Sequence, residues 1–247
     1  MDDLDPLMQS WPFEAGSIQV RTIHGKDGRL KLQLRLDLGI LQMEISGRPD
    51  GQNPFGCESL LEHYEKLATR FENEGKKDSF KLNAEDCLKL QQEGIQYYHR
   101  YLAFFQLQNF EAVIQDTRRN LRLFDFVTRH SENPEMATMF QQFRPYVLMI
   151  LTRARGMLAL QNKDYALALK HVERGIREIR AFLQEHFPPE LQDQSAELHF
   201  LESWMQEIRE QRPLTPREKL HRQMLDAIER EDYERAARLR DALKELY

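Results

Sequence analysis

The helix breakers of this chain are gathered at its front. Residues 1–56 hold seven of the 11 glycines and four of the 10 prolines. From Cys57 onward long stretches run without a glycine, which is the pattern of a helical polypeptide. A boundary is expected at 50–57, dividing a β-meander region, 1–56, from a helical-hairpin domain, 57–212. A separate helical hairpin, 213–247, is expected at the end.

The front piece reads as strands. Residues 18–23, Ile-Gln-Val-Arg-Thr-Ile, alternate apolar with polar. Lys26-Asp27-Gly28 follows as a turn, because an Asp-Gly pair tolerates positive φ. Leu30, Leu32, Leu34 and Leu36 then alternate with Lys31, Gln33, Arg35 and Asp37. Gly39 interrupts, and Leu41, Met43 and Ile45 resume the alternation. A period of two makes one face apolar and the other wet. The expectation is a three-stranded antiparallel meander whose apolar face covers the helices that follow, since a small sheet alone is marginal. The loop from Gly47 to Pro54 leads out of the sheet.

Behind it seven or eight helices are expected. Asn83 reads as an N-cap with Glu85 and Asp86 in the first turn. That helix carries Tyr97, Tyr98, Tyr101, Phe104 and Phe105, and Phe110 to about Arg129 returns. Pro134 and Pro145 punctuate the next stretch. A helix from about Tyr146 to Leu160 leads through Gln161–Asp164 into one ending near His186, before Pro188-Pro189.

Size and charge narrow the class. A length of 247 residues suggests one or two domains at about 150 residues each. With 41% hydrophobic residues the chain can bury a sizeable core. Its longest apolar run, Tyr146–Leu151, falls far short of the ~20 residues of a membrane span. The N-terminus is acidic and lacks the basic region of a signal peptide. Two cysteines, Cys57 and Cys87, fit a reduced compartment, so a cytoplasmic protein without membrane contact is expected. A net charge of −5 argues against a general nucleic-acid binder.

Three helix–turn–helix junctions share a pattern, at Gln108–Ala112, Asn162–Ala168 and Arg230–Ala236. In the latter two an Asp precedes a Tyr, and an Ala follows three later. The Asp is expected to cap the second helix, the aromatic to wedge between the helices, and the Ala to allow close approach. The first two junctions resemble the turn of tetratricopeptide repeats, although the aromatics are spaced by 55 and 68 residues against ~34 in that family. A stack of antiparallel helix pairs is expected under either reading.

The last segment is the most specific. Thr215 reads as a cap, Pro216 as the first helical residue and Glu218 as the far side of a capping box. Leu220, Met224, Ala227 and Ile228 fall on one stripe. After the reversal at Arg230–Asp232, a facing stripe holds Tyr233, Ala236, Ala237, Arg240, Leu243, Leu246 and Tyr247. Two helices of this length do not close a core alone, so a second copy or another protein's hairpin is expected to complete them. Ala227, Asp232, Tyr233, Ala236, Ala237, Leu239, Arg240, Asp241 and Leu246 spell A…DYxxAAxLRDxLxxL, and the segment closely resembles the UVR domain, or UvrB/UvrC motif. The resemblance implies a helical hairpin for protein–protein contact, which joins UvrB to UvrC in excinuclease subunits and also occurs in Clp-type ATPases and their adaptors. It implies that Tyr233, Arg240 and Asp241 lie at the association surface. The expected interaction set is Leu220, Met224, Ala227, Tyr233, Ala236, Ala237, Arg240, Asp241 and Leu243. The whole chain resembles, more loosely, bacterial proteins that carry this motif.

Motifs that carry chemistry are few. There is no GxxxxGK[ST], HExxH or CxxC, and no nuclease constellation. Cys57, His63, Cys87 and His99 match no compact zinc spacing. Glu218 and His221 form a lone ExxH, whereas a di-metal bundle needs two. The aromatic run from Tyr97 to Phe105 reads as core, and Arg118, Arg119 and Arg122 as a solvated helix face. The hairpin carries eight basic and eight acidic residues, which disfavours phosphate-driven binding. No enzyme, cofactor or metal is therefore expected. The leading expectation is a bacterial adaptor or scaffold acting through the UVR hairpin. Two alternatives stand beside it: an accessory factor of nucleotide excision repair recruited to UvrB/UvrC-like subunits, and a small-molecule-binding or enzymatic body with its site between the sheet and the helices.

Overall fold

The computed structural model describes residues 4–76, 79–192, 194–214 and 216–245. It is mainly helical, with one small sheet near the N-terminus. A short helix, α1 (Asp5–Ser10), precedes strands β1 (Gln19–His24), β2 (Leu30–Leu36) and β3 (Gly39–Glu44). The strands form an antiparallel meander in that order, with Val20 opposite Leu34 and Leu32 opposite Met43. Gly28 turns the first hairpin at φ +75°, a conformation that costs an L-residue energy and glycine almost none. Its N–H donates to the Gly25 carbonyl at 2.9 Å.

The apolar face of the sheet lies on helices. Leu32, Leu34 and Met43 are buried with Tyr101, Phe104, Phe110, Val113 and Ile150. The opposite face, expected to be wet, is partly covered: Gln33 and Arg35 are buried. The segment around Trp11 runs across it. Arg35 Nε donates to the Trp11 carbonyl at 2.8 Å, and the Arg21 guanidinium sits 4.2 Å from the centre of the Trp11 ring. Arg21 Nε donates to Gln33 Oε1 at 2.7 Å, and Gln33 Nε2 donates to Gln42 Oε1 at 3.0 Å. Alternation along a strand records the polarity of a face, not what lies over it.

The helices are α2 (Leu60–Asn73), α3 (Ala84–Gln106), α4 (Phe110–His130), α5 (Pro134–Gln141), α6 (Arg144–Gln161), α7 (Tyr165–His186), α8 (Pro189–Gln192), α9 (Ala196–Gln211), α10 (Pro216–Glu229) and α11 (Tyr233–Glu245). Asn83 closes a full capping box with Asp86 at the start of α3. Pro145 sits in the first turn of α6 rather than ahead of it, where its missing N–H costs nothing. Antiparallel neighbours pack in sequence, α3 with α4 and α6 with α7, while α4 also packs on α6. At Gly175 of α7 a Cβ would stand 2.1 Å from Thr152 Oγ1 of α6, so only glycine permits that approach.

Two buried ion sets fasten this body. The Glu93 carboxylate is wholly buried. It accepts from the Leu60 and Leu61 amides at 2.7 and 3.1 Å, capping α2 from another helix, and pairs with Arg119 and with Arg48 Nε, the latter at 3.4 Å. Arg100 grips Asp116 through two bonds of 2.8 and 2.7 Å, and its remaining nitrogen reaches the Glu44 and Gly47 carbonyls at 3.2 and 2.7 Å. Arg119 is thus largely enclosed, its side chain 10% exposed, and is not part of a solvated face as expected. Burial lowers its guanidinium to about 9, which still leaves it charged at neutral pH.

The chain divides into two compact units, residues 1–205 and 206–247. The sheet belongs with the helices of the first. The second holds α10 and α11, packed on one another.

Candidate functional site: the C-terminal hairpin

The reversal between α10 and α11 is built from three residues, and each satisfies a helix end. Glu231 adopts φ +58°. Its N–H donates to the Ile228 carbonyl at 3.0 Å, and that of Asp232 to the Ala227 carbonyl at 2.8 Å. These two bonds are a Schellman closure. Asp232 then caps α11, its side chain accepting from the Arg235 amide at 3.1 Å.

The same device occurs at the other two junctions. Gln108 and Lys163 both have φ +57°. Asn109 and Asp164 donate back to Phe104 and Ala159, and their side chains accept from the Ala112 and Leu167 amides at 3.3 and 2.9 Å. Four residues past each cap sits a buried small side chain: Val113, Ala168 and Ala236. The expected capping role of the Asp thus holds at both junctions that have one.

The aromatic position differs between them. Phe110 is buried and Tyr165 is half-buried, but Tyr233 is 67% exposed. Tyr233 does not wedge between its helices as expected. An aromatic is held inside a junction only where neighbouring helices close over it.

The candidate residues fall into two sets. Ala227 and Ala236 are buried, while Leu220, Met224, Ala237 and Leu243 are half-buried. Tyr233, Arg240 and Asp241 are exposed, and Arg240 Nε donates to Asp241 Oδ1 at 3.0 Å. Such a solvated pair contributes little to stability but presents a fixed charge pattern. The capping role of Thr215 and the stripe positions Leu246 and Tyr247 lie outside the described residues.

One exposed apolar residue, Leu225, was missed, and Ile228, placed on the stripe, was left out of the interaction set. Leu225 is 46% and Ile228 44% exposed on α10. They stand three apart, Ile228 on the stripe and Leu225 one position past Met224. That spacing was the available signal.

Elsewhere the weaker candidates resolve into structure. Tyr97, Tyr101 and Phe104 are buried, with Tyr97 stacked between the Arg100 and Arg119 guanidinia at 4.7 and 4.0 Å. The Gly47–Pro54 loop is stitched to α3 through Arg48, Asp50 and the Gly47 carbonyl. Cys87 is buried, burial raising its thiol above the ordinary range. Among the described residues no three His, Cys, Asp or Glu side chains converge as a metal set would.

The C-terminal unit therefore has the form of a charged helical hairpin with exposed apolar side chains. The family model described as the UvrB/uvrC motif, UVR, matches residues 217–247, which covers α11 and all but the first residue of α10. The tetratricopeptide-like resemblance of the middle is not confirmed. No curated protein and no solved structure matches the chain. Among the described residues no helix is long and apolar enough to cross a membrane.

Proposed function

We propose that this protein is a non-enzymatic adaptor that captures another protein through its C-terminal UVR hairpin. The observation that carries the reading is the UVR motif at 217–247, a protein-interaction motif in UvrB and UvrC. The exposed Leu225, Ile228 and Tyr233, together with the exposed Arg240–Asp241 pair, support it. Apolar side chains within a charged rim are what a helix-on-helix interface uses. The partner is a protein carrying a hairpin of the same kind, or a second copy of this chain, and the contact does not involve nucleic acid directly. The same motif supports a second reading, an accessory to nucleotide excision repair recruited by UvrB- or UvrC-like subunits.

The test is co-purification and sedimentation of the full chain, the Tyr233→Ala/Arg240→Ala double variant and a chain ending at Pro213. The double variant is expected to weaken association by on the order of tenfold or more, the scale of a disrupted anchor residue, while its far-UV circular dichroism is unchanged. Identical sedimentation and identical co-purifying proteins in all three would overturn the reading. Association that requires an added UvrB- or UvrC-like protein would select the repair branch.

A further inference from the structure

Among the described residues, two apolar clusters of the first unit lie on either side of a space. One is built on Leu61, Leu82, Leu90, Leu123 and Phe126, the other on Leu32, Tyr101, Phe104, Phe110 and Val113. Between them, walled by α3, α4, α5 and α6, lies a half-open cavity of about 420 Å³. Six of its lining side chains are aromatic: Tyr98, Tyr101, Phe124, Phe140, Phe143 and Tyr146. Ile95 and Phe143 stand at its mouth, each about half exposed.

Protein interiors rarely leave voids larger than a water molecule. A cavity with apolar walls holds water poorly, because water needs two to four polar partners. The rings here are mutually braced and do not collapse into the space. Tyr98 meets Tyr101 edge-on at 5.5 Å and Tyr146 at 6.2 Å, and Phe124 meets Phe140 at 6.1 Å. The Asn120 amide is committed elsewhere, donating to the Gly94 carbonyl at 3.0 Å and accepting from Arg119 Nη1 at 3.2 Å. Among the described residues no protein group bonds the Gln91 carboxamide, which also lines the space. No lining residue carries a charge.

We propose that this cavity is a binding site for a small, uncharged, largely aromatic molecule that hydrogen-bonds to Gln91 at one polar end. The volume falls in the ~300–1,000 Å³ range of small-molecule sites. An anionic ligand would lose its hydration with no cation in the lining to replace it. Burial raises the Tyr101 phenol far above its usual range, so it stays neutral at physiological pH. The site is separate from the interface between sheet and helices, which Leu32, Leu34 and Met43 fill. It is also independent of the hairpin reading.

The test is a fluorescence titration of the full chain with N-phenyl-1-naphthylamine, a neutral probe that brightens in apolar surroundings. Saturable binding at one probe per chain is expected, with a rise in the thermal midpoint. Ile95→Trp, which fills the mouth, and Phe143→Ala, which removes one wall, are each expected to weaken binding by on the order of tenfold with circular dichroism unchanged. The anion 1-naphthoate is expected to bind weaker by a similar factor, and Leu225→Ser in the hairpin to bind as the unaltered chain does. Absence of saturation, indifference to both mouth variants, naphthoate binding as tightly as the neutral probe, or loss of binding in Leu225→Ser would each overturn the proposal.

Discussion

Glu93 does two jobs with one carboxylate. It closes the N-terminus of α2, where unpaired amides carry partial positive charge, and it neutralises Arg119 and Arg48. Removing it orphans two amides and takes the carboxylate from the Arg119 guanidinium, while Arg48 keeps Asp50 at 3.3 Å. Glu93→Ala is therefore expected to destabilise the body by about 3–5 kcal/mol, the cost of breaking a buried pair from one side. Urea unfolding followed by tryptophan fluorescence measures this, and a loss under about 1 kcal/mol, the scale of a solvated pair, would refute the keystone role. In sequence Glu93 is one acid among the 40 Asp and Glu. Its partners lie 33, 26 and 45 positions away, at Leu60, Arg119 and Arg48, so no local pattern marks it. Arg119 was misread as solvated for the same reason. The Arg118-Arg119-Arg122 spacing does not say which of the three turns inward.

At the scale of elements, the three junctions use one solution to reverse a helix in three residues. Each places a non-glycine residue at positive φ: Gln108, Lys163 and Glu231. An L-residue in that conformation costs about 1–2 kcal/mol, partly offset because glycine would lose more chain entropy on folding. Lys163→Gly is thus expected to be neutral or to stabilise by up to about 1 kcal/mol. Lys163→Val is expected to destabilise by about 1 kcal/mol or more, since a β-branched side chain is worse still there. Paired thermal melts read the order of the two variants, and Val at least as stable as Gly would contradict it. These turns were legible in the sequence because capping is local. The Asn or Asp at each cap and the small residue four later act within about one helical turn. The exposure of Tyr233 was not legible, because it depends on what lies beyond the hairpin.

For the whole molecule, acid sensitivity follows from histidines placed where a charge is unwelcome. Burial lowers His99, His130 and His171 below the ordinary 6.5, with nearby cations adding to it at His130 and His171. The unfolded chain then binds more protons than the folded one below pH 6.5, so stability falls as pH drops through that value toward the folded ones. His130 meets Phe80 edge-on and Phe126 at a tilt, at 5.2 and 4.6 Å between ring centres, and is influenced by Arg129, Lys81 and Glu72. The thermal midpoint is expected to fall between pH 7 and pH 5.5, and His130→Phe to flatten that limb. A midpoint that rises over this window would contradict the assignment.

Some of this architecture belongs to the sequence alone. The period-two leucines of β2, the Asn83 capping box, the three junctions and the UVR hairpin rest on contacts between residues a few positions apart, and each appears where local chemistry places it. The covering of the sheet's polar face by Trp11, the burial of Arg119 on Glu93 and the cavity between α3 and α6 were decided by tertiary structure. All three join residues far apart in the chain. Which side chain is enclosed, and which space is left open, is set when the elements meet, because packing is a property of surfaces in contact and no single segment carries it.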